Sequence, residues 1–215
     1  MRAWLAAGVL AASTVQGARA DTANFDDAAP DAQMAGWTLT ATGRGKPKWS
    51  IKADPTAPSK PNVLEQSGQA EYPVALRTGT SIKDGFVETK FKAIAGSEDR
   101  AAGLVWRVRD ANTYYVVRAN ALEDNIVLYK TVDGNRQELD IVGRKGGYGV
   151  NVPVPPNTWH TLRVEFSGTR FKVVYNGRPL FEVDDATLKD AGMVGVWTKE
   201  DSVTLFDDVS WGETK

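Results

Sequence analysis

The side chains best suited to binding a polar ligand lie in one stretch of the chain, Ala101–Lys130. This stretch carries Arg107 and Arg118 among apolar residues, together with Tyr114 and Asn120. A lone cation is costly in a dry interior, so we expect both arginines to point to an open face. There, guanidinium and amide groups could bond sugar hydroxyls or carboxylates while the tyrosine ring stacks on the sugar. The alternative is a solvated face with cross-strand ion pairs.

Three further side chains are assigned to the same ligand-binding face. Glu88 and Lys90 lie two residues apart on the preceding strand candidate, and we expect them within reach of the arginines. Trp197 stands between Gly195 and Lys199, where it is either a sugar platform or a core residue. The predicted ligand-binding set is therefore Glu88, Lys90, Arg107, Tyr114, Arg118, Asn120 and Trp197.

No catalytic residue is identified by the sequence, but three side chains are candidates for a general base. They are Glu88, Glu123 in the polar turn 120–125, and His160, the one histidine. His160 shares the alternation of the apolar residues that follow it, which favours a partly buried structural role over a catalytic one. The turn around Glu123 is either the rim of the binding face or a plain turn with Asx hydrogen bonds.

β-Strands must position these residues, because the sequence has no amphipathic segment of ten or more residues with helical periodicity. Phe86–Ile94 alternates apolar and polar side chains, as strands with one buried face do. Asp133-Gly134 and Asn176-Gly177 are typical of tight hairpin turns. Many short strands joined by hairpins predict an all-β fold, a two-sheet antiparallel jelly-roll β-sandwich. The alternation assigns three central side chains to the interior between the sheets, namely Leu104, Trp106 and Tyr115.

The first twenty residues are predicted to be a signal peptide rather than part of the fold. Arg2 precedes a short apolar run, and Ala18-Arg19-Ala20 fits a small-x-small cleavage site. Removal after Ala20 leaves 215 − 20 = 195 residues, which we assign to a single domain, 21–215. The apolar run is too short for a membrane span, so we expect a periplasmic or secreted protein.

The composition narrows the range of partners. The signal segment holds two arginines and no acid, so 24 basic residues remain against 27 acidic ones, a balance of −3. This balance does not indicate nucleic-acid binding, which is typical of domains with clustered positive charge. The chain has no cysteine, which excludes disulfides and a cysteine lipid anchor. No cofactor is required, and carbohydrate is the expected partner, because seven Trp and six Tyr suit sugar-stacking surfaces as well as large β cores.

The runs Gly103–Gly134, Asn157–Asp185 and Gly192–Trp211 share the pattern of a known group. The chain resembles bacterial exported domains with the concanavalin A-like jelly roll, closest to the 3-keto-disaccharide hydrolase-like family and the related laminin G-like group. The resemblance implies two stacked, curved antiparallel sheets with carbohydrate on the concave face. Glucanases of this fold carry Glu-x-Asp-x-x-Glu on one strand for a nucleophile and an acid/base. The nearest match here, Glu182–Asp185, lacks the final Glu, which argues against glucanase chemistry.

The resemblance also implies a place where a structural calcium ion could bind. In such folds the terminal strands run side by side, and calcium binds clustered carboxylates and backbone carbonyls there. Asp26 and Asp27 near one end and Asp207 and Asp208 near the other supply such carboxylates. The alternative is that these residues are ordinary acidic strand ends.

Three functions are left open by the sequence. The leading hypothesis is an exported domain that binds glycan on its concave sheet. The family name implies the second, an enzyme that cleaves glycosidic bonds of 3-keto-disaccharides by elimination, with one base rather than a carboxylate pair. The third is a structural or adhesion module that uses the sheet face for protein contacts.

Overall fold

The computed structural model describes residues 20–30 and 34–214, so the predicted signal peptide lies outside it except for Ala20. The described residues form sixteen strands and no helix that could cross a membrane. The first eight strands are β1 (Ala20–Ala23), β2 (Trp37–Lys46), β3 (Trp49–Ala53), β4 (Asn62–Gln66), β5 (Gln69–Arg77), β6 (Gly85–Ala95), β7 (Ala101–Asp110) and β8 (Thr113–Asn120). The others are β9 (Asn125–Val132), β10 (Asn135–Glu138), β11 (Val150–Asn151), β12 (His160–Ser167), β13 (Arg170–Tyr175), β14 (Arg178–Asp184), β15 (Met193–Trp197) and β16 (Val203–Glu213).

The strands build two antiparallel sheets. Sheet A has the order β14-β13-β12-β6-β16-β4-β3, and sheet B has the order β10-β9-β8-β7-β15-β5-β2 with β11 beside β9. β16 joins most of sheet A, because it pairs with β6 along one side and with β4 and β1 along the other. The predicted fold class, a two-sheet antiparallel jelly-roll β-sandwich, is confirmed.

Two predicted hairpin turns are present where the sequence places them. Asp133 and Gly134 join β9 to β10 with φ of 51° and 80°, and Asn176 and Gly177 join β13 to β14 with φ of 48° and 75°. Positive φ at both central residues matches the twist of the flanking strands, and Asp-Gly and Asn-Gly adopt it at little cost. These turns fix the register of the hairpins that they join.

The core lies between the two sheets and is rich in aromatic rings. Trp106 of sheet B stacks on Tyr115 of the same sheet at 5.4 Å and on Phe166 of sheet A at 5.9 Å between ring centroids. Leu104, Trp106 and Tyr115 are fully buried in this core, which confirms their predicted interior position. Burial of each such side chain stabilises the fold by roughly 1.5–3 kcal/mol.

Sheet B is curled so strongly that its face away from sheet A is concave. Thr42 on β2 and Tyr114 on β8 lie four positions apart in the strand order. In a flat sheet that separation would be about 19 Å. Their hydroxyl oxygens are nevertheless 2.8 Å apart, and Thr42 also donates to the carbonyl of Ala111 in the turn after β7. The edge strand β2 therefore bends back over the middle of its own sheet.

The outer face of sheet A carries a proline-rich loop, residues 54–61. The carboxylate of Asp54 binds Lys92 Nζ at 2.5 Å, and only about a tenth of each side chain is exposed. Ser59 donates from its backbone N at 2.8 Å and from Oγ at 2.7 Å to the buried carboxylate of Asp207. This loop is therefore attached to the sheet through buried polar contacts.

Candidate functional site

The concave face of sheet B gathers polar and aromatic side chains from several strands. Because Tyr115, Val117 and Ala119 of β8 face the core, the intervening residues must face the concave side. Those residues are Tyr114, Val116, Arg118 and Asn120. The antiparallel register sets Thr131, Tyr129, Val127 and Asn125 of β9 directly beside them. The prediction that Tyr114, Arg118 and Asn120 share one face is confirmed.

Arg118 is the centre of a polar network at one end of this face. Its Nη2 donates to Glu123 Oε2 at 2.8 Å and to Asn125 Oδ1 at 2.7 Å, while Nη1 lies 3.3 Å from Glu123 Oε1. This two-pronged contact with a carboxylate is the strong form of a charge-assisted hydrogen bond. Only 1% of the Arg118 side chain is exposed, whereas 41% of the Glu123 side chain is. A buried cation thus holds a carboxylate at the protein surface.

Further contacts extend the network toward β15. Asn120 Nδ2 donates to Asp99 Oδ1 at 2.8 Å and to Glu123 Oε1 at 3.1 Å. Asp99 also pairs with the ammonium group of Lys199, which is partly exposed. We call these six side chains the Arg118 network: Asp99, Arg118, Asn120, Glu123, Asn125 and Lys199. Each buried member makes at least one hydrogen bond within the network, although Arg118 Nε has no partner among the described residues. These bonds hold the exposed carboxylate and ammonium groups in position.

The ionisation of Glu123 is set by this network. Burial of part of the carboxyl group opposes ionisation, but the hydrogen bonds from Arg118 and Asn125 outweigh it and lower the pKa below its ordinary value. Glu123 is therefore a carboxylate throughout the neutral range. It can accept hydrogen bonds from ligand hydroxyls, and as a base it is weaker than an ordinary glutamate.

An exposed tyrosine lies over the same arginine. The guanidinium carbon of Arg118 is 5.6 Å from the ring centroid of Tyr148 and 5.8 Å from that of Tyr129. The hydroxyls of the two tyrosines are hydrogen-bonded to each other. Tyr148 lies in a loop with positive φ at Gly146, Gly147 and Gly149 and keeps 43% of its surface exposed. Its ring is the exposed aromatic surface nearest the Arg118 network.

A second arginine reaches across the concave face from β10. The guanidinium carbon of Arg136 is 4.4 Å from the Tyr129 ring centroid, 4.8 Å from that of Tyr72 and 5.9 Å from that of Trp197. The rings of Tyr72 and Trp197 stack at 5.6 Å with an interplanar angle of 20°. We call these three rings the aromatic cage: Tyr72, Tyr129 and Trp197. Trp197 is fully buried, so it packs against Tyr72 and offers no open surface on which a sugar could stack.

Tyr114 does not present a stacking surface to solvent. Its side chain is fully buried, and its hydroxyl pairs with that of Thr42, the contact that closes the curl of sheet B. Burial raises the pKa of the phenol above its ordinary value, against the opposing effect of the Thr42 hydrogen bond. The predicted stacking role is therefore replaced by a structural one.

Arg107 is not on the concave face, contrary to the prediction. A β-bulge lies between Trp106 and Asp110, and Arg107 itself has φ of 49°, so the alternation on which the prediction rested is broken there. Its guanidinium donates to the carbonyls of Lys83, Leu188 and Gly168 at 2.7–3.0 Å. It also lies over Phe166 and Phe171 of sheet A. Arg107 joins loops at the edge of the sandwich.

Glu88 and Lys90 lie on the other sheet from Arg118, so the single platform that the sequence predicted does not form. β6 belongs to sheet A, and its Val87 and Phe91 face the core, which directs Glu88 and Lys90 to the outer face. There Glu88 lies 3.5 Å from Arg163 and Lys90 lies 2.7 Å from Asp208. The sequence showed adjacent strands but could not show that the chain changes sheets between β6 and β7.

The three candidate bases are dispersed. Glu123 lies at the rim of the concave face, Glu88 on the outer face of sheet A, and His160 on the core side of sheet A. His160 is 6% exposed and lies between Phe91 and Tyr175 at 5.4 Å from each ring centroid. One ring nitrogen is 2.9 Å from the carbonyl oxygen of Pro155. These contacts agree with the structural role that the sequence favoured.

The four aspartates suggested for calcium hold other groups. Asp26 accepts a hydrogen bond from the backbone N of Asn62 at 3.0 Å, Asp207 binds Ser59, and Asp208 pairs with Lys90. Asp27 is exposed. Within residues 20–30 and 34–214, no three acidic or histidine side chains are arranged to hold a metal ion. A structural calcium ion stays a prediction that this geometry does not favour.

Comparison with known proteins identifies the family. Residues 22–210 match the family described as the 3-keto-alpha-glucoside-1,2-lyase-like domain. The chain belongs to this family. The resemblance that the sequence suggested is therefore confirmed over nearly all of the described residues. A comparison with curated proteins finds no match.

Solved structures of the same fold share little sequence with this family member. The carbohydrate binding module CBM66 from Bacillus subtilis is 20% identical, with a TM-score of 0.64 over 82% of this chain and 96% of the module. Cip1, a cellulose induced protein, is 12% identical, with a TM-score of 0.65 over 90% of this chain and 97% of Cip1. A Bacillus licheniformis β-glucanase is 8% identical, with a TM-score of 0.52 over 94% of this chain and all of the glucanase. These likenesses establish the concanavalin A-like fold.

Several residues of the candidate site were missed at the sequence level. They are Tyr72, Asp99, Asn125, Tyr129, Arg136, Tyr148 and Lys199. Asn125 and Tyr129 could have been found, since they follow a polar turn on a strand whose partner, β8, was assigned correctly. Tyr72 and Arg136 meet only because sheet B curls, and no local sequence pattern predicts that curl.

Proposed function

We propose that this protein is exported and binds carbohydrate at the mouth of the concave face of sheet B. The observation that carries the proposal is the exposed pair Glu123 and Tyr148, both held by the buried guanidinium of Arg118. Two partly exposed groups accompany them, Lys199 paired with Asp99 and Tyr72 beside Arg136. The ligand contacts are thus proposed for the exposed side chains, while Arg118, Asn120 and Asn125 position them.

The chemistry of this rim suits a sugar. A carboxylate accepts hydrogen bonds from hydroxyl groups, an ammonium group donates to them, and an aromatic ring stacks on the apolar face of the pyranose. Because Arg118 and Asn125 already hold Glu123, binding requires little further ordering of the side chain. Family membership and the carbohydrate binding module and β-glucanase among similar folds are consistent with a sugar ligand.

A glycan array with purified protein tests this proposal. We expect Tyr148→Ala and Glu123→Gln each to weaken binding of any retained glycan at least tenfold. Glu182→Gln serves as the matched control, because Glu182 is similarly exposed, at 48%, but lies on sheet A. Retention of wild-type binding by both rim variants, or equal loss in the control, would place the ligand elsewhere.

A second candidate is cleavage of a 3-keto-glycoside, favoured by the family match and by the single exposed carboxylate in the cluster. Glu123 would take the proton from the carbon beside the ketone, and that electron pair would form a double bond to the anomeric carbon. The glycosidic C–O bond breaks, and the departing oxygen takes a proton from water. The lowered pKa makes Glu123 a weak base, so this candidate ranks second.

Incubation with 3-keto-glycosides followed by product analysis separates the two candidates. Turnover that falls at least 100-fold in Glu123→Gln, with wild-type rates in Glu88→Gln, would support cleavage at the rim. Absence of turnover in wild-type protein that still binds glycan would leave recognition as the function.

A further inference from the structure

One arginine on the concave face has no acidic partner. No carboxylate among the described residues lies within 4.0 Å of Arg136, and its Nη1 is buried without a hydrogen-bond partner there. Arg118 lies over the same Tyr129 ring, but its Nη1 and Nη2 donate to Glu123 and Asn125, and only its Nε lacks a partner among the described residues. The two guanidinium groups thus share an aromatic neighbour, but only one of them is paired.

The aromatic cage holds Arg136 without using its hydrogen-bonding capacity. Aromatic rings attract a guanidinium through its charge, so the Nε and Nη2 donors of Arg136, which are not buried, remain available to a ligand. These two adjacent donors match the two oxygens of a carboxylate with two parallel hydrogen bonds. A partly buried cation without a counter-ion is costly, and a ligand carboxylate would offset that cost.

The surrounding charges leave Arg136 as the group that an anion would meet. Asp99 and Glu123 are matched by Lys199 and Arg118 within the Arg118 network. Glu138 follows two residues after Arg136 on the same face of β10, but it is exposed, so solvent screens its charge. The positive charge of Arg136 is therefore not cancelled locally.

We propose that the carbohydrate bound at the concave face carries a carboxylate, as in a uronic acid, and that Arg136 binds this group. The proposal rests on the proposed function, because it names the ligand class of the same site. The exposed rim around Glu123 and Tyr148 would bind the hydroxyls and ring of the sugar. The aromatic cage would orient Arg136 toward the acid.

Matched glycan pairs test this ligand class with the purified protein. The probes are oligosaccharides of galacturonic, glucuronic and mannuronic acid, each compared with its carboxyl-reduced form, which keeps the ring stereochemistry but is neutral. We expect the acidic member of one pair to bind at least tenfold more tightly by calorimetry. Arg136→Gln should remove that preference, and Arg136→Lys should restore only part of it, because a lysine lacks the planar fork.

Arg109→Gln is the control, since Arg109 is an exposed arginine paired with Asp190 on the surface. It should bind as the wild type does. Equal affinity for acidic and reduced members, or an unchanged preference in folded Arg136→Gln, overturns the acidic-ligand proposal while carbohydrate recognition stands. Failure of all glycans, acidic and neutral, on the array and in calorimetry overturns both proposals together.

Discussion

The two outward faces of this sandwich differ in how their charged side chains are neutralised. On the outer face of sheet A, charged side chains such as Glu88, Lys90 and Arg163 pair with neighbours and remain partly exposed. On the concave face of sheet B, Arg118 is 1% exposed and lies among aromatic rings, with its carboxylate partner at the surface. Away from the loop 54–61, sheet A neutralises these charges in partly exposed ion pairs, whereas sheet B buries a cation that holds other groups in place.

This difference separates a solvated surface from a built site. Exposed ion pairs contribute roughly 0–1 kcal/mol each and constrain little. A buried guanidinium with all its neighbours bonded is rigid, and its loss leaves several groups without partners. On the concave face a buried cation therefore holds exposed groups in place, which the exposed ion pairs of Glu88 and Lys90 do not do.

The largest effect is expected for Arg118→Ala. Removal of the guanidinium leaves Asp99 and Glu123 with less compensation and empties the space beneath Tyr148, so the free energy of unfolding should fall by about 3 kcal/mol. Urea unfolding followed by tryptophan fluorescence measures it, and glycan binding should be lost as well. A decrease below about 1 kcal/mol would show that the Arg118 network is no more rigid than a surface ion pair.

A smaller effect is expected for Asp54→Asn under the loop 54–61 of sheet A. Burial opposes ionisation of Asp54, but hydrogen bonds from Lys92 and Thr56 lower its pKa. The stabilisation is therefore present above the unfolded pKa of about 4 and is lost as the pH falls below it. At pH 7 the variant should lose about 2 kcal/mol of unfolding free energy and show a weaker decline in acid.

The Asp54→Asn variant also tests whether the two outward faces are independent of each other. Its glycan affinity should equal that of the wild type, because Asp54 and Lys92 are on sheet A. A drop in affinity at unchanged folding would mean that the two faces are coupled.

The smallest effects are expected for Glu88→Gln and Lys90→Ala. Both side chains are about one-third exposed in ion pairs on the outer face, so each change should alter the unfolding free energy by less than about 0.5 kcal/mol. Glycan binding should be unchanged in both. Loss of binding in either variant would indicate that the ligand binds sheet A rather than the concave face of sheet B.

The fold class could be predicted from the sequence, because local patterns of residue types indicate its strands and turns. Alternation of apolar residues assigned Trp106 and Tyr115 to the core, and Asp133-Gly134 marked a hairpin. The same rule placed Arg118 and Asn120 on one face correctly. It failed at Arg107, where a bulge adds a residue to the strand and turns the side chain toward sheet A.

The site was only partly accessible, because it depends on contacts between distant strands. Glu88 and Arg118 looked close in the chain, but their strands lie in different sheets. Tyr72 and Arg136 looked unrelated, yet the curl of sheet B brings them to 4.8 Å between ring centroid and guanidinium carbon. Sequence separation is a poor guide where a sheet bends back on itself.

The position of β16 has a consequence for how the chain acquires its shape. This strand follows the other fifteen described strands in the chain, yet it is the partner of β1 and one of the two partners of β4 and of β6. Until it emerges, sheet A is divided into β14-β13-β12-β6 on one side and β4-β3 on the other, and β1 has no partner. We expect sheet A to reach its complete strand order only after β16 has been synthesised, because β16 joins strands that are far apart in the sequence.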